Sequence, residues 1–160
     1  MNIITAVDKN WAIGYENRLL NSIPEDMKFF RETTTGGIVV MGRRTLDSFP
    51  GGRPLKKREN IVLTRNPDFE RDGVIKAGSL EEVLELTGGR ENVYVIGGES
   101  VYRQLLPYCD TAYVTYMDYE YLADTWFPNL DQDPEWRLCQ VSEEQTYFDI
   151  PYEFRVYKRK

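Results

Sequence analysis

Residues 92–107 read NVYVIGGESVYRQLLP, and the rest of the fold can be predicted outward from them. β-Branched and aromatic residues lead to the pair Gly97-Gly98, and apolar residues then recur with helical spacing until Pro107. This pattern predicts a buried strand, a tight turn and a helix. Glycine lets a ligand approach the backbone and a helix start attracts anions, so the turn could hold a diphosphate. The alternative is a turn that binds no ligand. The third glycine of the dinucleotide-binding fingerprint is missing.

Composition limits the number of domains and the compartment. A chain of 160 residues that is 41% apolar predicts one domain over residues 1–160 with a full core. No apolar run approaches the length of a membrane span and no charged-then-apolar leader opens the sequence, so we expect a cytoplasmic protein. Cys109 and Cys139 each lie in or beside a strand-like run, which favours two reduced core thiols over a disulfide. Metal-ligand spacing is absent, so no metal site is expected.

The absence of histidine restricts the possible chemistry most. It excludes Ser-His-Asp and Cys-His catalysis and zinc sites that depend on histidine. A net charge of −6 argues against nonspecific nucleic-acid binding. The segment 43–65 nevertheless carries seven cations and two acids, a net charge of +5 against −11 for the remainder. This cationic segment is either a solvated loop, the reading we prefer for Lys56 and Lys57, or a site for an anionic small ligand.

The order of the remaining elements predicts an α/β fold. Strand-like runs alternate with helical patterns as far as Pro107, and only strand-like runs follow, which indicates a largely parallel sheet with antiparallel strands at its end. Ligands of such a sheet bind beyond the carboxyl ends of its strands. Residues 11–22 show no clear period and predict a lid. The strand-like runs are residues 2–7, 38–42, 60–64, 74–77, 92–96, 111–117, 138–142 and 152–158.

One acidic residue of the first predicted helix stands out. Pro24 opens this helix, and Asp26 lies on the same arc as Ile23 and Phe30, so its carboxylate points toward apolar surroundings. The alternative is a solvated first-turn carboxylate that interacts only with the helix dipole. A buried Asp26 needs a donor, and the helix offers no lysine or arginine on that arc, which leaves the donors to a ligand.

Taken together, short motifs along the chain closely resemble the dihydrofolate reductase family, over essentially its whole length. Each is modest alone, whereas their number, order and spacing are specific. The motifs are Ala6, WAIG at 11–14, IPEDM at 23–27, FFR at 29–31, VMGR at 40–43 with Thr45, GRPL at 52–55, RENIVLT at 58–64, VIGG at 95–98 with Val101 and Tyr102, YVT at 113–115 and DTWFP at 124–128.

The resemblance implies a three-layer fold, with helices on both faces of a central, mostly parallel mixed sheet. It also implies an oxidoreductase that uses NADPH to reduce 7,8-dihydrofolate to 5,6,7,8-tetrahydrofolate, with hydride transfer to C6 and protonation of N5 from water. Expected partners are dihydrofolate and antifolate molecules, without nucleic acid or membrane, and the expected state is a monomer. Two alternatives remain: a reductase of the same fold that acts on a riboflavin precursor, and a non-catalytic nucleotide-binding module.

The resemblance also implies roles for particular residues. Asp26 would bind the 2-amino and N3 groups of the pterin, Thr115 would steady Asp26, Tyr102 would lie near the nicotinamide, and Arg58 would bind the glutamate α-carboxylate. The implied catalytic residues are Asp26, Thr115 and Tyr102. Further substrate-binding residues are Ile4, Ala6, Met27, Phe30, Phe49, Leu55 and Arg58. Cofactor-binding residues are Ala6, Ile13, Gly14, Leu19, Gly42, Arg43, Arg44, Thr45, Leu63, Thr64, Arg65, Ala77, Ile96, Gly97, Gly98, Glu99, Ser100, Val101, Tyr102 and Thr125.

The chain departs from the family pattern at two places. Leu20-Asn21 replaces the usual Pro-Trp before the first helix, and Leu46 replaces a common tryptophan. Asparagine covers less apolar surface than tryptophan, so we expect a looser lid, with Leu20 supplying part of the missing packing.

Overall fold

A computed structural model describes residues 1–160, which form twelve strands and four α-helices. None of the helices is long and apolar enough to cross a membrane. The strands are β1 (Asn2–Val7), β2 (Ala12–Tyr15), β3 (Arg18–Leu19), β4 (Ile38–Gly42), β5 (Glu59–Leu63), β6 (Val74–Ala77), β7 (Val93–Gly97), β8 (Thr111–Met117), β9 (Thr125–Trp126), β10 (Trp136–Val141), β11 (Gln145–Tyr147) and β12 (Ile150–Arg159). The helices are α1 (Pro24–Thr34), α2 (Arg43–Asp47), α3 (Leu80–Thr87) and α4 (Glu99–Leu105).

Nine strands form the central sheet, in the order β10-β12-β8-β1-β7-β4-β5-β6, with β11 paired to β12. The pairs from β8 to β6 are all parallel, and β12 pairs antiparallel with β8, β10 and β11. The predicted mixed sheet is therefore confirmed. Because the parallel strands run in one direction, β1, β4, β5 and β7 all end at the same edge of the sheet.

The residues of β4 show how the two faces of the sheet are covered. Ile38 and Val40 pack in one core cluster with residues of α3 and α4, whereas Val39 and Met41 pack with Leu46 of α2 on the other face. Side chains alternate along a strand, which explains this division. On that second face Phe29 of α1 contacts the rings of two strand residues, Tyr113 and Phe154. Helices thus lie on both faces, as predicted.

Residues 11–22 are more regular than their sequence indicates. β2 pairs with β3 and with β9, which makes a separate three-stranded sheet beside the central one. Strands of two to four residues are too short to show a period, and β9 lies far away in sequence, so a local pattern could not reveal the pairing. The predicted lid is thus attached to β9 by the pairing of β2 with β9.

The two cysteines occupy different environments. Both are free, and Cys109 is buried as predicted. The expectation of a core thiol is wrong for Cys139, which is exposed. β10 is an edge strand, and its register shifts between Leu138 and Gln140, so Cys139 has no sheet or helix to cover it.

Candidate active site

The carboxyl ends of the parallel strands open into one cleft of about 1630 Å³. Its walls are formed by β1, α1, the start of α2, the ends of β5 and β7, the start of α4 and the small sheet. Two of the predicted site residues, Thr115 and Ala77, do not line it, and all the others do. A cleft of this size at this edge is where an open α/β sheet binds its ligands.

Asp26 lies near the start of α1, with its side chain directed at the sheet. Pro24 occupies the first turn and Ile23 is buried beneath it, which orients the helix start. The hydroxyl of Thr115 donates to Asp26 Oδ1 at 2.6 Å, so this contact is direct although Thr115 itself is buried behind the wall. Burial raises the pKa of the Asp26 carboxyl, and the Thr115 bond partly opposes that rise. The solvated alternative is therefore wrong.

No cation neutralises Asp26. None of the six ion pairs of the protein includes it, and its only side-chain hydrogen bond is the one from Thr115 to Oδ1. Oδ2 is therefore available to a donor from the cleft. A half-buried carboxylate in this situation binds a ligand with two adjacent N–H donors best, because it accepts both bonds in one plane.

Apolar side chains surround this carboxylate. Met27 is 48% exposed, which for a large apolar side chain in a cleft marks a surface that a ligand can cover. The apolar residues on this part of the wall are Ile4, Ala6, Met27, Phe30, Phe49 and Leu55.

Arg58 is a cation at the outer end of the apolar region. Its Nη1 donates to Thr34 Oγ1 at 3.0 Å and its Nε to the Lys56 carbonyl at 2.9 Å, and the guanidinium lies 6.0 Å from the Phe30 ring centroid. Burial, and then the charge of Arg31, lower the pKa of Arg58. No carboxylate of the protein pairs with Arg58, so its charge is left for an anionic group in the cleft.

The glycine turn lies on the other side of the cleft. Gly97 has φ +127°, where a side chain is strained, and its peptide bond to Gly98 is cis. A Cβ at Gly97 would stand 3.5 Å from both Thr45 Oγ1 and the Tyr102 ring. At Gly42 a Cβ would come within 3.1 Å of Val101. Glycine at position 42 thus lets α4 approach the end of β4, and glycine at position 97 allows the positive φ of the turn.

Tyr102 connects this turn to β1. It is 4% exposed, and its hydroxyl donates to the Ile4 carbonyl at 2.8 Å, while Phe127 packs edge-on against its ring at 4.9 Å. Burial raises the pKa of Tyr102 above its ordinary value, so the hydroxyl stays protonated at neutral pH. Tyr102 therefore acts as a neutral wall between the glycine turn and the region around Asp26.

Part of the cationic segment lies on the cleft and part does not. Arg43 pairs with Asp47 at 3.6 Å, and Arg44 and Arg65 have no acidic partner. Lys56 and Lys57 are away from the walls, as predicted for a solvated loop. The cleft residues in and around this segment are Gly42, Arg43, Arg44, Thr45, Leu63, Thr64 and Arg65.

The lid closes the cleft through the small sheet. Asp124 Oδ2 accepts the Glu16 N–H at 3.0 Å, and the Asp124 N–H donates to the Gly14 carbonyl at 3.0 Å. Asn17 donates to the Arg44 carbonyl at 2.9 Å, which ties the lid to α2. The lid-side residues on the wall that were predicted are Ile13, Gly14, Leu19 and Thr125.

The Leu20-Asn21 departure is accommodated away from the cleft. Asn21 Nδ2 donates to the Tyr121 hydroxyl at 3.0 Å, and Leu20 packs beside Ile23 and Met117 in a small core cluster. Leu20 thus packs in this core cluster, and that it replaces packing in the lid stays a prediction. Asn21 does not line the cleft, whereas Ser22 does, so the bond to Tyr121 fixes the backbone just before the rim.

Two groups of residues differ from the predicted wall. Ala77 is fully buried in the core, and the four residues that follow it line the wall instead. Most of the other missed residues lie next to predicted ones in sequence, whereas Asn17, Ser22 and Gln104 lie two or three positions away. The missed residues are Thr5, Asn17, Arg18, Ser22, Arg31, Ser48, Pro50, Gly78, Ser79, Leu80, Glu81, Gln104 and Asp124.

A glycine cradle beside free arginines, joined to an apolar pocket with one carboxylate, fits an enzyme that binds an anionic nucleotide next to a mostly apolar substrate. A sequence profile of dihydrofolate reductase matches residues 1–159. The chain belongs to the dihydrofolate reductase family, and it is an oxidoreductase that reduces dihydrofolate. The riboflavin-precursor reductase and the non-catalytic module are therefore not favoured.

Individual relatives agree over nearly the whole chain. The dihydrofolate reductase of Bacillus subtilis is 40% identical over 164 residues, which cover 100% of this chain and 95% of the relative. That of Haemophilus influenzae is 37% identical and covers 94% of each chain. A solved structure of the Enterococcus faecalis dihydrofolate reductase, complexed with NADP(H) and RAB-propyl, matches with a TM-score of 0.88 and 35% identity, covering 99% of this chain and 95% of that chain.

Proposed function

We propose that this protein reduces 7,8-dihydrofolate to 5,6,7,8-tetrahydrofolate with NADPH, by hydride transfer to C6 and protonation of N5. The position of Asp26 carries this proposal. Its carboxylate accepts a bond from Thr115, has no cationic partner and belongs to the same cleft as Gly97 and Gly98. The 2-amino and N3 groups of a pterin supply the two donors that such a carboxylate needs.

The substrate side of the cleft is suited to the rest of dihydrofolate. The apolar walls formed by Ile4, Ala6, Met27, Phe30, Phe49 and Leu55 would cover the pterin and aminobenzoyl rings. Arg58 would bind the α-carboxylate of the glutamate, because no acidic side chain of the protein satisfies it. Thr115 would keep Asp26 in the orientation that meets the pterin edge.

The cofactor side fits a dinucleotide phosphate on two observations. First, side chains at positions 97 and 98 would occupy the space beside the backbone that glycine leaves open. Second, arginines without acidic partners line the same cleft. When bound, NADPH supplies the hydride. Arg43, Arg44, Thr45, Thr64 and Arg65 would hold the adenosine end and its 2′-phosphate. The diphosphate and nicotinamide would contact Ala6, Ile13, Gly14, Leu19, Gly42, Leu63, Ile96, Gly97, Gly98, Glu99, Ser100, Val101, Tyr102 and Thr125.

The protein itself would position the two ligands, place a charge beside the pterin and exclude water from the reacting atoms. The lid would cover the reacting rings and exclude water, which strengthens the electrostatic interaction between the Asp26 carboxylate and the pterin. The chain has no histidine that could supply a proton to N5. Burial raises the pKa of Tyr102 and its hydroxyl already donates to the Ile4 carbonyl, so Tyr102 is a poor proton donor. Asp26 would be occupied at the 2-amino edge of the pterin. A water molecule therefore delivers the N5 proton.

We propose further that the chain acts as one domain over residues 1–160, as a monomer and in the cytoplasm. Support for one domain comes from the sheet, since β1 lies between β7 and β8 and the chain-terminal β12 pairs with β8. We also propose that antifolates bind in the dihydrofolate pocket, because diamino heterocycles offer the same two donors to Asp26. Sedimentation at several concentrations tests the monomer.

The assay follows NADPH oxidation by the purified protein in the presence of dihydrofolate. We expect one NADPH to be consumed for each tetrahydrofolate formed, and no turnover with a riboflavin precursor. NADPH binding without oxidation would instead identify a nucleotide-binding module. Turnover of the riboflavin precursor alone would overturn the assignment of Asp26 and Arg58 to a pterin glutamate.

A further inference from the structure

Glu99 is an acidic residue at an unexpected place. It is the first residue of α4, follows the Gly97-Gly98 turn directly and lines the cleft. Its Oε2 accepts the backbone N–H of Trp126 at 2.6 Å. Trp126 belongs to β9, which pairs with β2 of the lid. One carboxylate thus joins the glycine cradle to the small sheet.

No lysine or arginine forms an ion pair with Glu99. None of the six ion pairs of the protein includes it. None of the cleft arginines belongs to the turn after β7, and the three on the proposed cofactor side are Arg43 and Arg44 of α2 and Arg65 after β5. A diphosphate in the cradle would therefore meet a carboxylate of like charge, and the two repel each other.

We propose that Glu99 has two separable effects on the cofactor site. Its charge weakens the binding of NADPH and NADP⁺, which eases release of the oxidised cofactor. Its hydrogen bond to Trp126 positions β9, and with it Thr125 and the lid, against the cradle. This inference rests on the proposed placement of the diphosphate at Gly97-Gly98.

The conservative variant Glu99→Gln separates the two effects. Glutamine keeps an oxygen that accepts the Trp126 N–H but carries no charge, whereas Glu99→Ala removes both. We expect Glu99→Gln to bind NADPH about three- to tenfold more tightly than the parent at low ionic strength. This gain disappears in about 1 M salt, where charges are screened beyond roughly 3 Å. The Kd for adenosine 2′-monophosphate, which lacks the diphosphate, stays unchanged.

The control is Glu144→Gln, which changes the net charge equally at an exposed side chain away from the cleft. The single-turnover rate of hydride transfer measures the second effect, and we expect it to be lower for Glu99→Ala than for Glu99→Gln. Equal Kd values for NADPH in the parent and Glu99→Gln, or a gain that survives high salt or appears in the control, overturn the charge effect. Equal single-turnover rates in the two variants overturn the positioning effect. A parent protein that does not bind NADPH would instead overturn the proposed function.

Discussion

The substitution Asp26→Asn should reduce activity and increase stability at the same time. In the parent protein the Thr115 hydroxyl donates to Asp26 Oδ1 at 2.6 Å. The amide of the variant keeps one oxygen that can accept this bond. It cannot accept two bonds from the pterin, because its NH₂ group faces one of the donors. A bond to a charged group contributes about 1.5–3 kcal/mol, so losing one and opposing another costs roughly 3 kcal/mol. We expect kcat/KM for dihydrofolate at neutral pH to fall about 100-fold.

The stability effect has the opposite sign. Burial raises the pKa of Asp26 in the folded protein above the value of 3.8 for an unperturbed carboxyl, so the folded state binds the proton more readily than the unfolded state. Stability of the ligand-free protein therefore rises as the pH falls through the folded pKa, and the ionised carboxylate lowers stability above it. Asp26→Asn removes this penalty. The variant should have the larger free energy of unfolding at pH 8, and the difference should vanish below about pH 4.

Steady-state kinetics and urea unfolding at both pH values measure the two effects on the same preparations. The control is Glu25→Gln, an exposed carboxylate one residue away in the same helical turn, which should change neither activity nor stability appreciably. Near-full kcat/KM in Asp26→Asn would show that this carboxylate does not bind the substrate. A lower free energy of unfolding at pH 8 would refute the argument from burial.

Three further predictions concern neighbouring groups. Thr115→Val removes a donor that lowers the carboxyl pKa, so the acid limb of the kcat/KM profile should move to higher pH; an unmoved limb contradicts this role. Arg65→Gln should lower kcat/KM for NADPH about ten- to a hundredfold and leave that for NADH unchanged, and equal losses would assign Arg65 elsewhere. Tyr121→Phe removes the acceptor of Asn21 and should raise the Kd for dihydrofolate about two- to tenfold. Tyr119→Phe, which keeps the tilted ring pair with Tyr121 at 4.7 Å, should not raise this Kd, and equal Kd values for the parent and Tyr121→Phe contradict a role at the rim.

Residues 20–22 show how the structure changes a sequence-based expectation. If residue 21 faced the cleft, Asn21→Trp would add apolar cover to the lid and tighten dihydrofolate binding. The side chain of Asn21 instead reaches Tyr121 and lies outside the cleft. A tryptophan at this position loses that bond before it adds any cover. The gain in free energy from burying the ring, roughly 1 kcal/mol, is of similar size to the loss of the hydrogen bond, about 1 kcal/mol.

The sequence by itself determined the features that depend on neighbouring residues. Strand runs, the Pro24 helix start and the Gly97-Gly98 turn are read from short segments, because backbone propensity and apolar period are local properties. The absence of histidine restricted the ionisable chemistry before any geometry was known. Because parallel strands end at the same edge of a sheet, the sequence also predicted that the glycine turn and the arginines lie at one edge. Motif order along the chain identified the family.

Only the tertiary structure decided which side chains meet across long separations. The bond between Thr115 and Asp26, the β9 partner of the lid and the Asn21–Tyr121 contact join residues at least 89 positions apart. The exposure of Cys139 and the burial of Ala77 likewise depend on packing, because both lie in edge strands and only Ala77 joins a core cluster that includes Val83 of α3. Such contacts arise from packing of whole elements, so no local pattern encodes them. The bond between Glu99 and Trp126 forms in the same way, because folding brings β9 to the start of α4.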